Sequence, residues 1–135
     1  MSFDGILAFR HGIYGVDYDR SDHDKFADEA DSIFLVTAER LLAEGKRDLI
    51  LDRAFYAKED RDHYRALIEK YGGRCVLVYL SAPKTVLWER IQSRRRAGVN
   101  ADCMLDISLS LLDSYYDKFE VPSGEGEIVV DTTKL

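Results

Sequence analysis

Long apolar runs are absent from this sequence. No stretch approaches the ~20 residues that a membrane-crossing helix requires. Cysteine is scarce: Cys75 and Cys103 are the only two in 135 residues. That excludes a disulfide framework, and Cys75 lies in an apolar run where a thiol behaves as a small hydrophobe. The start, Met1-Ser2-Phe3-Asp4, lacks the basic end and apolar centre of a signal peptide. These absences together lead us to expect a cytoplasmic protein with no membrane partner. His11, His23 and His63 lack metal-ligand spacing, so no metal ligands are assigned and surface or loop roles are expected for them. Repeats and low-complexity segments are absent as well. A final absence is chemical. No G-x-x-x-x-G-K-[ST] segment occurs, the loop whose backbone N–H groups and Lys cradle a triphosphate. The single Gly-Lys pair, Gly45-Lys46, is followed by Arg47, and Arg40 stands where the motif needs its first glycine.

What is present is ordinary for a globular chain. Hydrophobic residues make up 46% and charged residues 33%, which suits one domain spanning residues 1–135 with a core of its own. The net charge of -6 argues against general affinity for nucleic-acid backbone, because that affinity comes from Lys and Arg neutralising phosphates. A local basic pocket remains compatible with it.

Strand and helix patterns alternate. Residues 10–24, rich in Gly and Asp, read as a loop, and the aspartates Asp17, Asp19, Asp22 and Asp24 as a solvated surface. Ser21 to Asp24 has capping-box spacing. Phe26, Ala30, Ile33, Phe34, Thr37 and Leu41 then recur at helical spacing up to Gly45. Asp48–Asp52 is a short apolar run between charges and predicts a buried parallel strand over Leu49–Leu51. A helix from about Lys58 carries Tyr64, Leu67, Ile68 and Tyr71 to Gly72-Gly73. Cys75–Leu80 predicts a strand buried on both faces.

Ser81-Ala-Pro83 opens a further helix with Val86, Leu87 and Ile91 inward, ending near Gly98, and residues 99–106 read as irregular. Ser108 caps a last helix bearing Leu111, Leu112, Tyr115 and Phe119, which must stop before Pro122. Glu127–Asp131 is the final strand. The sum is an α/β fold with a short, mostly parallel sheet flanked by helices. Ligands bind at the carboxyl ends of strands in such sheets, where Asp4, Asp52 and Ser81 fall.

The run from Leu41 to Arg95, followed by Ser108 to Thr132, resembles the ATP-binding, P-loop kinase-like family. Its members include zeta toxins, chloramphenicol phosphotransferase and polynucleotide kinase. Ser2-Phe3-Asp4 is similar to the family's S-x-D segment after its second strand. The resemblance thus begins after the family's first βα unit, and the fold is expected to be P-loop NTPase-like with that unit missing.

The resemblance implies phosphoryl transfer from ATP with Mg²⁺ to a hydroxyl acceptor, on a small molecule or a nucleic-acid end. It gives Asp4 the role of general base and places Asp52 facing the Mg²⁺ and acceptor region. Asp4 capping the next helix, and Asp52 pairing with Arg53, are the structural alternatives. Leu7 stands where the family often has an acceptor-phosphate Arg. Arg90 and Arg94 share a helical face and match the family's lid, implying that they clamp ATP phosphates. The run Arg94-Arg95-Arg96 reads otherwise as solvated surface. Arg61 falls where an acceptor-binding Arg is often found.

The missing cradle decides what to expect of activity. Phosphoryl transfer rests on positioning and electrostatics, so this chain alone is expected to be inactive as a kinase. The alternative is a degenerate, non-catalytic nucleotide-binding or self-associating module. A vacant central strand position exposes sheet edges, so a homo-oligomer is expected.

Overall fold

The computed structural model describes residues 1–98 and 107–135. Its elements run α1 (Phe3–His11), α2 (Arg20–Glu44), α3 (Lys58–Lys70), β1 (Val78–Ser81), α4 (Lys84–Ala97), α5 (Leu109–Lys118) and β2 (Ile128–Asp131). This is an α/β chain with a small parallel sheet flanked by helices. It divides into two compact units, Met1–Ala54 and Phe55–Gly98 with Ile107–Leu135. Cys103 and the stretch predicted as irregular lie outside the described residues.

In the first unit, Ser2 caps α1 by accepting a hydrogen bond from the Gly5 N–H at 3.3 Å. Asp4 in the first turn and Arg10 and His11 in the last suit the two ends of the helix dipole. Gly12, at φ 84°, ends the helix. The sequence pattern placed a strand end at Ser2-Phe3-Asp4 and a loop from residue 10; α1 replaces the strand end and takes Arg10 and His11 from the loop, which persists over residues 12–19. Asp19 rather than Ser21 caps α2, accepting from the Ser21 N–H at 2.9 Å. Gly45 in the left-handed conformation stops α2, as expected. Phe34, Ala30 and Ala38 are buried along one stripe of α2, and Leu7 of α1 is buried with them. Phe3, Ile6, Ile13, Tyr14, Tyr18 and Phe26 pack around Leu7 and Ala30.

The expected strand over Leu49–Leu51 does not form. The Phe3 N–H donates to the Asp52 carbonyl at 3.0 Å and the Asp52 N–H to the Met1 carbonyl at 2.8 Å. That yields one isolated parallel bridge, Ser2 to Asp52. Ile50 is 78% exposed. The apolar run has a partner only three residues long along one edge, too short to hold it as a buried strand.

In the second unit, α3 begins and ends where the sequence pattern placed it, with Tyr64 buried. β1 and β2 pair in parallel, Val78 with Ile128 through Ser81 with Asp131. The expectation that Cys75–Leu80 is buried on both faces is corrected. Val76, Val78 and Leu80 are each at least half exposed, as is Ile128 opposite Val78. Val129, paired with Tyr79 on the other face, is 58% exposed as well, so both faces of this two-stranded sheet carry exposed apolar residues. Pro83 stands at the N-cap of α4, and Ser108 caps α5, accepting from the Leu111 N–H at 3.1 Å.

Candidate functional site

The predicted site residues fall in both units, and each group is described within its own. In the first unit, Asp52 is bridged to Ser2, two positions before Asp4, and its carbonyl accepts from the N–H of Phe3, the residue preceding Asp4. Both residues are exposed. Asp4 lies on the first turn of α1, which Ser2 caps, so the structural alternative is met by its neighbour. Arg53, offered as a partner for Asp52, pairs with Asp31 at 2.5 Å. Its guanidinium lies 5.3 Å from the Phe3 ring centre and 5.9 Å from that of Phe34. That arrangement fastens the bridge segment to α2 through cation–π contact.

Beside them sits an aromatic group that the sequence pattern left in a loop. His11 stacks on Phe26 with ring centres 3.8 Å apart, and its Nε2 is 3.2 Å from the Glu29 carboxylate. Glu29 also accepts from Arg10 at 2.6 Å, which holds its carboxyl below the usual carboxylate range. His23 stacks on Tyr18 and meets Tyr14 edge-on. Burial pushes the Tyr18 hydroxyl up, helped by Tyr14 and Asp4. His11 therefore ties α1 to α2, and His23 on α2 packs against the tyrosines of the segment between the two helices. His63 is exposed on α3.

In the second unit, Arg61 is not open to solvent. Its side chain is 3% exposed and that of Glu125 5%. The guanidinium donates through Nε at 3.0 Å and Nη2 at 2.8 Å to the two Glu125 oxygens, and through Nη1 at 2.8 Å to the Phe55 carbonyl. The hydrogen bonds hold the Glu125 carboxyl down and the Arg61 guanidinium up. Phe55, held by this bond, is the one non-glycine residue at positive φ, 42°, among the described residues, and its ring packs edge-on against Tyr64. Nothing in the local sequence around Pro122–Glu127 signals that Glu125 would reach Arg61. The long-range pairing is visible only in three dimensions.

Arg90 and Arg94 stand one turn apart on α4, as their spacing requires. Arg90 is half-buried and Arg94 exposed. Arg90 donates through Nη1 to the Thr132 hydroxyl at 3.1 Å and through Nη2 to the Thr132 carbonyl. Arg95 donates to the Ile107 carbonyl at 2.6 Å and lies over the Trp88 ring. Arg96 bonds the Gln92 carbonyl of its own helix.

With this geometry in view, comparison with known families is informative. A family model described as an AAA domain matches residues 8–122. The chain belongs to that family of P-loop NTPases. No curated protein and no solved structure gives a match. Asp52, Arg61, Arg90 and Arg94 lie within the matched segment, and Asp4 lies before it.

The family implies ATP and Mg²⁺, and the residues present fit that pair poorly. The sequence offers no glycine-rich cradle. Among the described residues no group of three His, Cys, Asp or Glu side chains could hold a metal ion. Arg61 is already neutralised by Glu125. What the arrangement retains is the arginines of α4, among which Arg90 donates to the hydroxyl and carbonyl of Thr132.

Proposed function

We propose that the chain is a non-catalytic member of its family, a module that binds phosphate-bearing nucleotides weakly through α4 and does not transfer their phosphoryl groups. The observation that carries this reading is a mismatch. The family match runs over residues 8–122, yet the 135 residues contain no G-x-x-x-x-G-K-[ST]. Binding without that loop rests on arginine charge, which salt screens. Calorimetry with ATP should therefore give weak binding that falls steeply with ionic strength and gains nothing from Mg²⁺. Tight, Mg²⁺-dependent binding would defeat the reading.

A second reading keeps the chemistry of the kinase-like branch that includes zeta toxins, chloramphenicol phosphotransferase and polynucleotide kinase. There the chain serves phosphoryl transfer from ATP to a hydroxyl on a small molecule or a nucleic-acid end. It is supported by the backbone bridge between Ser2 and Asp52, which brings the chain segments carrying Asp4 and Asp52 side by side. The missing cradle keeps it second.

Self-association goes with the first reading. Val78, Leu80 and Ile128 share one face of the β1–β2 pair and are each more than half exposed, in a sheet type that is normally covered on both faces. Light scattering should give a molar mass above 15.5 kDa that rises with concentration. A monomer at every concentration would remove self-association from the proposal.

A further inference from the structure

We infer that the turn following β2 is an autoinhibitory strap: Thr132 occupies the Arg90 guanidinium, and an anion must displace it to bind. The inference deepens the reading of α4 as the anion-binding element and rests on it.

Three features of the contact point this way. First, the strap takes the two nitrogens that a phosphate oxyanion would need. Arg90 Nη1 donates to the Thr132 hydroxyl at 3.1 Å, and Nη2 to the Thr132 carbonyl and, at 3.4 Å, to the Leu135 carbonyl. A bidentate anion uses the same fork.

Second, the oxygens that Thr132 offers are neutral. Among the described residues, Arg61, Arg10 and Arg40 each face a carboxylate, whereas Thr132 gives Arg90 a hydroxyl and a carbonyl. A half-buried guanidinium gains from exchanging those two neutral partners for the oxygens of an anion. The bonds to Thr132 are charge-assisted from the donor side alone, and an oxyanion adds opposite charge and bidentate geometry on the acceptor side.

Third, the strap is a built turn. The Thr132 N–H and hydroxyl both donate to the Ser81 carbonyl, at 2.8 and 3.1 Å. Leu135 N–H closes onto the Thr132 carbonyl at 3.0 Å. The Asp131 carboxylate accepts from the Thr133 N–H at 2.9 Å and from its hydroxyl at 2.5 Å. Thr132 itself is 7% exposed. The hydroxyl that accepts from Arg90 is thereby aimed by its own bond to Ser81, at the carboxyl end of β1. Release of Arg90 leaves that turn intact through its backbone bonds, so the strap can open without unfolding β2.

The experiment is a titration of the full chain and four variants with inorganic pyrophosphate by calorimetry, with circular dichroism as the control for folding. Thr132→Val keeps the shape of the side chain and removes the hydroxyl from Arg90. It should bind pyrophosphate about tenfold more tightly than the parent, the size expected for loss of one competing charged hydrogen bond. Thr132→Ser keeps the hydroxyl and should bind as the parent does. Arg90→Gln in the Thr132→Val background should abolish the gain.

If Thr132→Val binds no more tightly while Arg90→Gln in the parent weakens binding, the strap is overturned and the anion-binding reading of α4 survives. If no variant binds pyrophosphate at all, both fall. Should Thr132→Val fail to fold, NMR of the parent decides the matter. Saturating pyrophosphate should shift the Arg90 guanidinium and Thr132 resonances together, and Thr132 resonances unmoved with pyrophosphate bound overturn the strap.

Discussion

Arg61 and Glu125 form a buried, bidentate ion pair across 64 positions of sequence, with Nε and Nη2 each meeting one carboxylate oxygen. Arg65 adds a second cation 3.7 Å from the same carboxylate, and the Phe55 carbonyl takes a further Arg61 donor. The pair ties the entrance of α3 to the turn before β2. An arginine so placed holds the second unit together, and its charge is spent within the chain.

Removing one partner should be costly, because it leaves the other charge buried and unpaired. Arg61→Ala or Glu125→Gln should each lower stability by about 3 kcal/mol, measured by urea denaturation. Replacing both, as Arg61→Met with Glu125→Leu, should cost less than either single change. Equal or additive losses would show that the two groups do not act as a pair.

Stability should fall in acid and stay level near neutrality. Glu125, Glu29, Asp62 and Asp19 all have folded-state carboxyls held below their ordinary values by hydrogen bonds from Arg61, Arg10, Lys58 and Ser21 respectively. Depressed carboxylates stabilise the fold above their unfolded range and lose that contribution as pH falls through the lower folded values. Lys84 is raised by Asp113, and its contribution is lost only as pH rises past its unfolded value. The thermal midpoint should therefore be flat between about pH 6 and 8 and drop below about pH 4, the unfolded carboxylate range. Glu125→Gln should show a shallower acid drop than the parent.

Two glycines should respond differently to the same substitution. A Cβ on Gly12 (φ +84°) would stand 2.3 Å from the Asp17 carboxylate, which accepts from the Ile13 N–H at 2.7 Å. Gly15 (φ +74°) has open space around it. Gly15→Ala should cost about 1 kcal/mol from backbone strain alone, and Gly12→Ala about 2 or more, since the loop must also shift. Chemical denaturation of both variants separates the two effects, and equal losses would count against the packed Gly12–Asp17 contact.

The α/β class and most helix ends were legible because local chemistry sets them. Gly45, Gly98, Ser108 and the Gly72-Gly73 pair mark boundaries that hold in the structure. Asp48–Asp52 misled because an apolar run reports a tendency to be buried and not whether a partner strand is there. Ile50 has none on its outer side and faces solvent. α1 escaped notice because Ser2-Phe3-Asp4 suits a strand end and a helix N-cap equally, and the Ser2 hydroxyl decides for the cap.

The candidate site was legible only in part. Arg90 and Arg94 share α4 as their spacing implied. The oxygens that occupy Arg90, and the carboxylate that neutralises Arg61, come from 42 and 64 positions away, beyond the reach of any local pattern.

The central claim is that this chain, lacking the phosphate cradle, does not transfer phosphoryl groups. Its most direct test is ATP turnover by the purified chain with Mg²⁺, with and without hydroxyl acceptors, beside the Asp4→Asn, Asp52→Asn and Arg90→Ala variants. Losing even one oxyanion donor can cost about 3 kcal/mol of transition-state stabilisation, so the account predicts turnover at background in all four proteins. Turnover that survives stringent purification and is abolished by Asp52→Asn or Arg90→Ala would contradict it.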